Sequence, residues 1–93
     1  MKPHANKASG LLRALANEQR LLILCNLTDG ELSVGELNER LPLSPSALSQ
    51  HLAVLREKDI VKTRKDAQTV YYSINDGPAT DVMDTLHKIY CAT

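Results

Sequence analysis

Aromatic residues are scarce in this 93-residue sequence, which contains three tyrosines and neither tryptophan nor phenylalanine. Folds built from β-strands draw heavily on aromatic side chains, whereas leucine is a strong helix former. The longest unbroken apolar run covers only residues 21–25, which is too short for a membrane span or for the core of a signal peptide. These absences favour a helical protein with no membrane partner.

Cysteine is also rare, because the sequence holds only Cys25 and Cys91. Without an export signal, two cysteines indicate reduced thiols in the cytoplasm rather than a disulfide framework. We therefore expect a cytoplasmic protein. The length allows a single domain, residues 1–93, whose small core would gain from self-association.

Net charge is absent, since 11 basic residues balance 11 acidic ones. The charges are nevertheless separated along the chain: residues 1–20 carry +3, residues 29–40 carry −3, residues 56–66 carry +2 and residues 76–93 carry −2. The total charge favours no class of partner, but a locally basic segment lies within the third of these blocks.

The first half of the sequence predicts two helices followed by a helix-turn-helix. Residues 5–16 form a short first helix, and Asn17 is a suitable N-cap for a second, almost wholly apolar helix that ends at Asp29-Gly30. Ser33 and Glu36 have the spacing of a capping box at the start of a third helix, which Pro42 ends. A fourth helix begins at Ser44-Pro45 and ends near Lys58, and two short capped helices so closely joined indicate a helix-turn-helix.

In the second half of the sequence, the spacing of apolar residues changes from a helical period to the alternation of β-strands. Residues 59–65 and 68–74 are rich in β-branched residues and tyrosine, and Asp66-Ala67 between them predicts a hairpin turn. A turn at 75–78 then leads into a last helix with an apolar stripe. The predicted fold is mainly α with a β-hairpin wing: a winged helix-turn-helix in the order α-α-α-α-β-β-α.

The fourth helix has a face suited to DNA. Leu48, Leu52 and Leu55 fall on one side and are expected in the core. The opposite side near the helix start offers small hydroxyls and one amide, which can approach base edges and phosphates in a major groove; it comprises Ser44, Ser46, Ser49 and Gln50. His51 lies between the two faces, and we interpret it as a structural or phosphate-contacting residue.

A basic hairpin follows this helix directly, which favours DNA over a merely solvated polar face. Arg64 and Lys65 lie near the predicted hairpin tip, with Gln68 across the turn. These side chains are expected to reach the adjacent DNA backbone or the minor groove.

Four segments together resemble the ArsR family of winged-helix repressors: Asn17-Glu-Gln-Arg-Leu21, Glu31-Leu-Ser-Val-Gly-Glu-Leu37, Ser44-Pro-Ser-Ala-Leu-Ser-Gln-His-Leu52 and the hairpin from Arg64 to Tyr71-Tyr72. The similarity runs from about Leu11 to Cys91. It implies a homodimer joined through the first and last helices, with each fourth helix in a major groove of a palindromic operator. Within the family, Ser46, Ser49 and Gln50 match positions that contact DNA, whereas Pro45 and Ala67 depart from the usual glutamine and glycine.

The apolar stripes of the first and last helices are the expected dimer interface. They offer more apolar surface than one small core needs. The residues are Leu11, Leu12, Leu15, Val82, Met83, Leu86, Ile89 and Tyr90.

Metal sensing is an alternative that the family resemblance raises. The thiol-rich motif of its third helix is replaced here by Ser33 and Gly35, which cannot bind a soft metal. The last helix offers Asp81, Asp84 and His87 but lacks the second histidine of the family's other metal site. No metal site and no cofactor are predicted.

The two cysteines resemble the dithiol branch of the family, which includes biofilm growth-associated and haemolysin regulators. Cys25 alone would be interpreted as a small core residue, but Cys91, close to the chain end, gains little from packing. The resemblance implies a switch in which reactive sulfur species or oxidants act on both thiols and release the DNA.

Three other functions stay open at this stage. The protein could act as an activator that relieves silencing by another DNA-binding protein, or as a dimeric interaction module without a sensing role. A small dithiol oxidoreductase is the enzymatic alternative, but the sequence has no C-x-x-C motif and no thioredoxin-like pattern. We therefore predict that the protein is not an enzyme.

Overall fold

The computed structural model describes residues 2–90, so Cys91 lies outside the described part of the chain. A short 3₁₀ turn at Lys2–His4 precedes the first helix. Five helices and three strands follow: α1 Ala5–Leu15, α2 Glu18–Leu27, β1 Leu32–Ser33, α3 Val34–Arg40, α4 Pro45–Glu57, β2 Val61–Asp66, β3 Thr69–Ile74 and α5 Pro78–Tyr90.

Side-chain caps fix the starts of the three central helices, as the sequence predicted. The side chain of Asn17 accepts a hydrogen bond from the backbone N–H of Arg20 at the start of α2. Ser33 and Glu36 form the reciprocal capping box of α3. At α4, Ser44 Oγ accepts from the N–H of Ala47 at 3.1 Å. Each cap satisfies a backbone donor that has no partner inside its own helix.

Leucine fills the core in place of aromatic rings. The expected trio of α4, Leu48, Leu52 and Leu55, is at most 2% exposed. Two of the eight predicted dimer residues, Leu15 and Met83, also lie in this core and are covered by their own chain.

The second helix corrects one prediction. Cys25 considered alone was interpreted as a small core residue of an almost wholly apolar helix, but only one side of α2 is buried, through Ile23, Leu24 and Leu27. Cys25 and Leu22 lie on its exposed side. A helix that is apolar all round has no pattern to show which side faces its neighbours.

The sheet has three strands rather than the two of the predicted hairpin. Its order is β1-β3-β2, and both pairs are antiparallel. In β1, Leu32 pairs with Tyr72 and Ser33 pairs with Tyr71. This two-residue strand joins the wing to the start of α3, a connection the predicted order lacked.

The hairpin turn differs by one residue from the prediction. Asp66 pairs with Thr69 as the last pair of the ladder, so the two turn residues are Ala67 and Gln68 rather than Asp66 and Ala67. Ala67 adopts a left-handed φ of 54°. Gln68 therefore lies in the tip itself and not across from it.

Along residues 2–90, no helix is long and apolar enough to cross a membrane.

Candidate nucleic-acid interface

The outward side of α4 is polar and carries no charge near the helix start. Ser46, Ser49 and Gln50 are all exposed, with Ala53 one turn further along. Because the leucines on the opposite side are anchored in the core, this side is held in a fixed orientation. Exposed hydroxyl and amide groups on a rigid helix are suited to contacting base edges.

The predicted contact residue Ser44 is exposed, and its hydroxyl oxygen is used as the N-cap of α4. The hydroxyl proton is still available to donate to a phosphate beside the helix N-terminus, where the backbone dipoles favour an anion.

His51 faces a half-buried arginine rather than solvent alone. Arg20 Nη1 lies 3.4 Å from His51 Nδ1, and Arg20 Nε donates to the carbonyl of Ala14 at 2.5 Å. A second Arg20 donor reaches the carbonyl of Arg13 at 3.2 Å. Because arginine can only donate, His51 Nδ1 is the acceptor wherever this contact is a hydrogen bond. Arg20 thus joins the end of α1 and the start of α2 to α4.

The wing presents exposed polar side chains at its tip. Lys65 pairs with Val70 one position before the end of the ladder, and Gln68 occupies the turn. Both are exposed. A cation and an amide at a hairpin tip are suited to contacting a phosphate backbone.

Arg64, which the sequence placed among the phosphate contacts, has protein partners. Its Nη2 donates to Glu31 Oε1 at 2.6 Å, and its Nε donates to Glu31 Oε2 at 3.1 Å. The guanidinium also lies 4.5 Å from the centroid of the Tyr71 ring, and Asp66 Oδ2 is 4.0 Å from Nη1. These contacts occupy the planar fork of the guanidinium.

Three pKa values near the wing and α3 shift in the direction these contacts require. The hydrogen bonds from Arg64 lower the pKa of Glu31, and the same interaction raises the pKa of Arg64. The pKa of Glu36 is lowered because its carboxylate accepts from the backbone N–H of Ser33 and interacts with the Ser33 side chain.

Apolar surface is exposed on α1, α2 and α5, away from the polar face of α4. Within residues 2–90, four large apolar residues are exposed: Leu12 (57%), Leu22 (38%), Ile89 (62%) and Tyr90 (79%). Leu11, Val82 and Leu86 are half-buried against the core. An open groove runs along α1 and is lined by Ala5, Ala8, Ser9, Leu12, Arg13 and Ala16.

Of the two predicted sensing residues, the structure describes Cys25. It lies on the exposed side of α2, one turn from exposed Leu22. The chain continues from the last turn of α5 at Tyr90 into Cys91, which lies outside the described residues. Among residues 2–90, no group of three His, Cys, Asp or Glu side chains is placed to hold a metal ion.

Sequence reasoning missed two residues near this surface, Arg20 and Glu31. Both act over long sequence separations, Arg20 on His51 and Glu31 on Arg64. No local signal marked Glu31, which is one of several carboxylates in residues 29–40.

Comparisons with known proteins agree on one group of transcription regulators. The model of a family described as "bacterial regulatory protein, arsR family" matches residues 17–63. The transcriptional activator HlyU of Vibrio cholerae is 55% identical over 98% of this chain and 84% of its own length. The biofilm growth-associated repressor of Xylella fastidiosa is 38% identical over 99% of this chain and 81% of its own length.

Solved structures give the same result. HlyU from Vibrio cholerae superposes with a TM-score of 0.93 at 55% identity, covering 98% of this chain and 99% of that one. The transcriptional repressor BigR from Xylella fastidiosa superposes with a TM-score of 0.88 at 38% identity, covering 100% of this chain and 95% of that one. The predicted winged-helix fold is confirmed by these matches.

Proposed function

Because this chain belongs to the ArsR family of bacterial transcription regulators, we propose that it represses transcription as a homodimer on a palindromic operator. We further propose that Cys25 and Cys91 form its thiol switch. The carrying observation is the uncharged outward side of α4, held rigid by three buried leucines and followed by a wing that exposes Lys65 and Gln68 near its tip.

In this proposal, Ser46, Ser49 and Gln50 read base edges in a major groove. Ser44, His51 and Lys65 contact phosphates, and Gln68 at the wing tip reaches the backbone or minor groove. The exposed apolar residues of α1 and α5 supply the dimer contact, through Leu12, Ile89 and Tyr90 with Leu11, Val82 and Leu86 beside them. Two-fold symmetry would set the α4 helices about one DNA turn apart, ~34 Å.

DNA reading is tested by comparing Gln50→Ala with Lys65→Ala on a duplex that the wild-type protein selects from a random-sequence pool. Gln50→Ala should cost about 1–3 kcal/mol and relax sequence preference at one position. Lys65→Ala should weaken binding to all duplexes alike. It should also reduce the slope of the logarithm of the binding constant against the logarithm of salt concentration by about one, the value for one phosphate contact. Lys88→Ala on α5 removes the same charge as a control. Wild-type affinity in both α4 and wing variants would refute the proposed interface.

The switch proposal starts from the exposure of Cys25 on α2 and the position of Cys91 directly after α5. A direct disulfide requires Cα atoms about 4.4–6.8 Å apart, whereas an inserted sulfur atom bridges a wider gap. We therefore expect polysulfides to join the two residues more readily than peroxide does. The bridge would fix α2 to the end of α5 and change the dimer geometry on which operator spacing depends.

The proposed chemistry begins with the Cys91 thiolate, which attacks an internal sulfur of the polysulfide, displaces a shorter polysulfide anion and becomes Cys91–S–S–SH. The Cys25 thiolate then attacks a sulfane sulfur now bound to Cys91 and releases hydrosulfide. The product is a Cys–S–S–S–Cys bridge. The two thiols are oxidised by two electrons together, and the polysulfide is reduced.

This switch is tested with Cys25→Ser and Cys91→Ser. Each variant should bind the operator as the wild type does and should keep binding after polysulfide treatment. Intact-mass measurement should show the bridged product only in the treated wild type. Peroxide treatment is the matched comparison for a direct disulfide. Release of DNA by either treated single variant would contradict the two-thiol switch.

A second candidate function, activation by displacing a silencing protein, is favoured by the 55% identity to a protein named as an activator. The two outcomes differ in a reporter assay with purified components. A repressor lowers transcription from a bare promoter, whereas an anti-silencing activator raises it only when a silencing protein covers the same promoter.

A further inference from the structure

We infer that Glu31 is a positioning residue for DNA binding, because it holds the wing through Arg64 and Tyr71 in the orientation that α4 requires. The inference rests on the proposed function. In this inference Arg64 is not a phosphate contact but one partner of a hydrogen-bonded ion pair across the sheet.

The register of the sheet places these three residues on one face. Arg64 is directly paired with Tyr71, and Tyr71 is directly paired with Ser33 of β1. Directly paired residues project to the same face of a sheet, and side chains two positions apart on one strand do so as well. Glu31 precedes β1, and its carboxylate lies on the face that carries Arg64 and Tyr71, because both of its oxygens accept from Arg64.

This face is turned away from the core. The neighbouring register positions Leu32 and Val61 are buried, and Tyr72 packs against the core from the opposite face. Arg64 lies on the edge strand β2 and reaches inward over the Tyr71 ring of the central strand β3 to Glu31 beside β1. The Arg64 and Glu31 side chains together thus span the width of the three-stranded sheet.

The ion pair between Arg64 and Glu31 strengthens a short connection between the wing and the helix-turn-helix. Only two residues of β1 pair with β3, and α3 begins at the very next residue, Val34. Core packing of Val61, Tyr72 and Ile74 holds the base of this fourteen-residue hairpin, but β1 pairs with only two of its residues. A planar guanidinium held by both oxygens of one carboxylate fixes direction as well as distance.

Exposure limits the energy of the contact but not its geometry. The side chains of Arg64 and Glu31 are 53% and 40% exposed, so the ion pair is open to solvent and salt. The lowered pKa of Glu31 agrees with a carboxylate that stays ionised beside the guanidinium. We therefore expect a change in binding that is measurable and moderate, not a loss of the fold.

The test compares four variants on the duplex selected by the wild-type protein. Glu31→Gln removes the charge of the carboxylate, and Arg64→Lys keeps the positive charge but removes the planar fork. Each should weaken binding on the order of fivefold, and the double variant should be no weaker than either single variant. Glu39→Gln on α3 removes an equal charge without touching Arg64 and should not weaken binding.

Hydrogen exchange of the free protein gives a readout without DNA. Glu31→Gln and Arg64→Lys should both speed amide exchange in residues 61–74, while Glu39→Gln should leave it unchanged. Tighter binding of Glu31→Gln, or wild-type binding of Arg64→Lys, would show that Arg64 contacts phosphate and would overturn the inference. Absence of any duplex binding by the wild type would refute the proposed function itself, which is a separate result.

Discussion

The helix-turn-helix, α3 and α4, buries its large apolar residues within one chain, whereas the outer helices, α1 and α5, leave several of theirs exposed. In α3 and α4, Leu37, Leu48, Leu52 and Leu55 are at most 2% exposed within a single chain, and side chains cap both helix starts. In α1 and α5, Leu12, Ile89 and Tyr90 are more than half exposed, and the start of α1 has no side-chain cap.

The difference shows which part of the molecule buries its apolar residues without a partner. A capped helix pair with a filled core keeps its geometry whether or not a partner is present. Helices that leave large apolar residues in water gain stability when a second surface covers them. We therefore expect the DNA-facing unit to be rigid and the outer helices to be the part that responds to association and to thiol chemistry.

The largest expected effect is on the core of the helix-turn-helix. Leu48→Ala removes a fully buried side chain and leaves a cavity, so it should lower the free energy of unfolding by about 2–5 kcal/mol. Leu12→Ala on α1 is the matched control, because the same atoms are lost from an exposed site. Urea unfolding at low protein concentration should show less than ~1 kcal/mol for the control. Equal losses in the two variants would contradict the comparison.

A change on α5 should affect association without unfolding the chain. Ile89→Lys places a charge on the proposed dimer surface and should raise the dissociation constant of the dimer by about 100-fold, as read by sedimentation. Asp84→Lys puts a lysine about 140° around the helix, with a larger change in charge, and serves as a stringent control. A wild type that sediments as a monomer at micromolar concentration would refute the dimer.

The same contrast explains what the sequence could predict. The caps of α2, α3 and α4 involve residues within three positions of one another, so the helix-turn-helix was predictable from local chemistry. The strand β1 was not, because it exists only through pairing with residues about 40 positions later.

The candidate site also has features that local sequence predicts and features that depend on contacts between distant residues. The polar side of α4 followed from helical period alone, and the structure has those residues exposed. The contact between Arg64 and Glu31 joins residues 33 positions apart and has no local signal. The exposure of Cys25 was missed because residues 21–25 of α2 are all apolar, so only the packing of the helix determines which side is buried.

A smaller effect tests the value of the caps. Ser33→Ala removes the side-chain acceptor for the N–H of Glu36 and should cost ~1 kcal/mol of unfolding free energy. Ser9→Ala on α1 removes a hydroxyl that accepts only from the exposed Arg13 side chain, and its effect should stay within about 0.5 kcal/mol. Chemical denaturation compares them directly. A cost at Ser9 as large as that at Ser33 would mean that capping does not distinguish α3 from α1.

The smallest effect is a pH dependence confined to the helix-turn-helix and the wing. The folded-state pKa values of Glu31 and Glu36 lie below the ordinary 4.5. The stability that these two carboxylates contribute to the fold is therefore fully present above pH 4.5 and is lost as the pH falls through the lowered pKa values.

Glu36→Gln tests this pH dependence, because glutamine keeps an acceptor for the backbone N–H of Ser33 but cannot titrate. Amide exchange in residues 33–40 should rise less in this variant than in the wild type between about pH 6 and about pH 3.5, after correction for the intrinsic exchange rate. The first turn of α1 has no acidic residue, and exchange in residues 5–15 should not depend on the substitution. An equal rise in residues 33–40 in both proteins would show that Glu36 makes no pH-dependent contribution to α3.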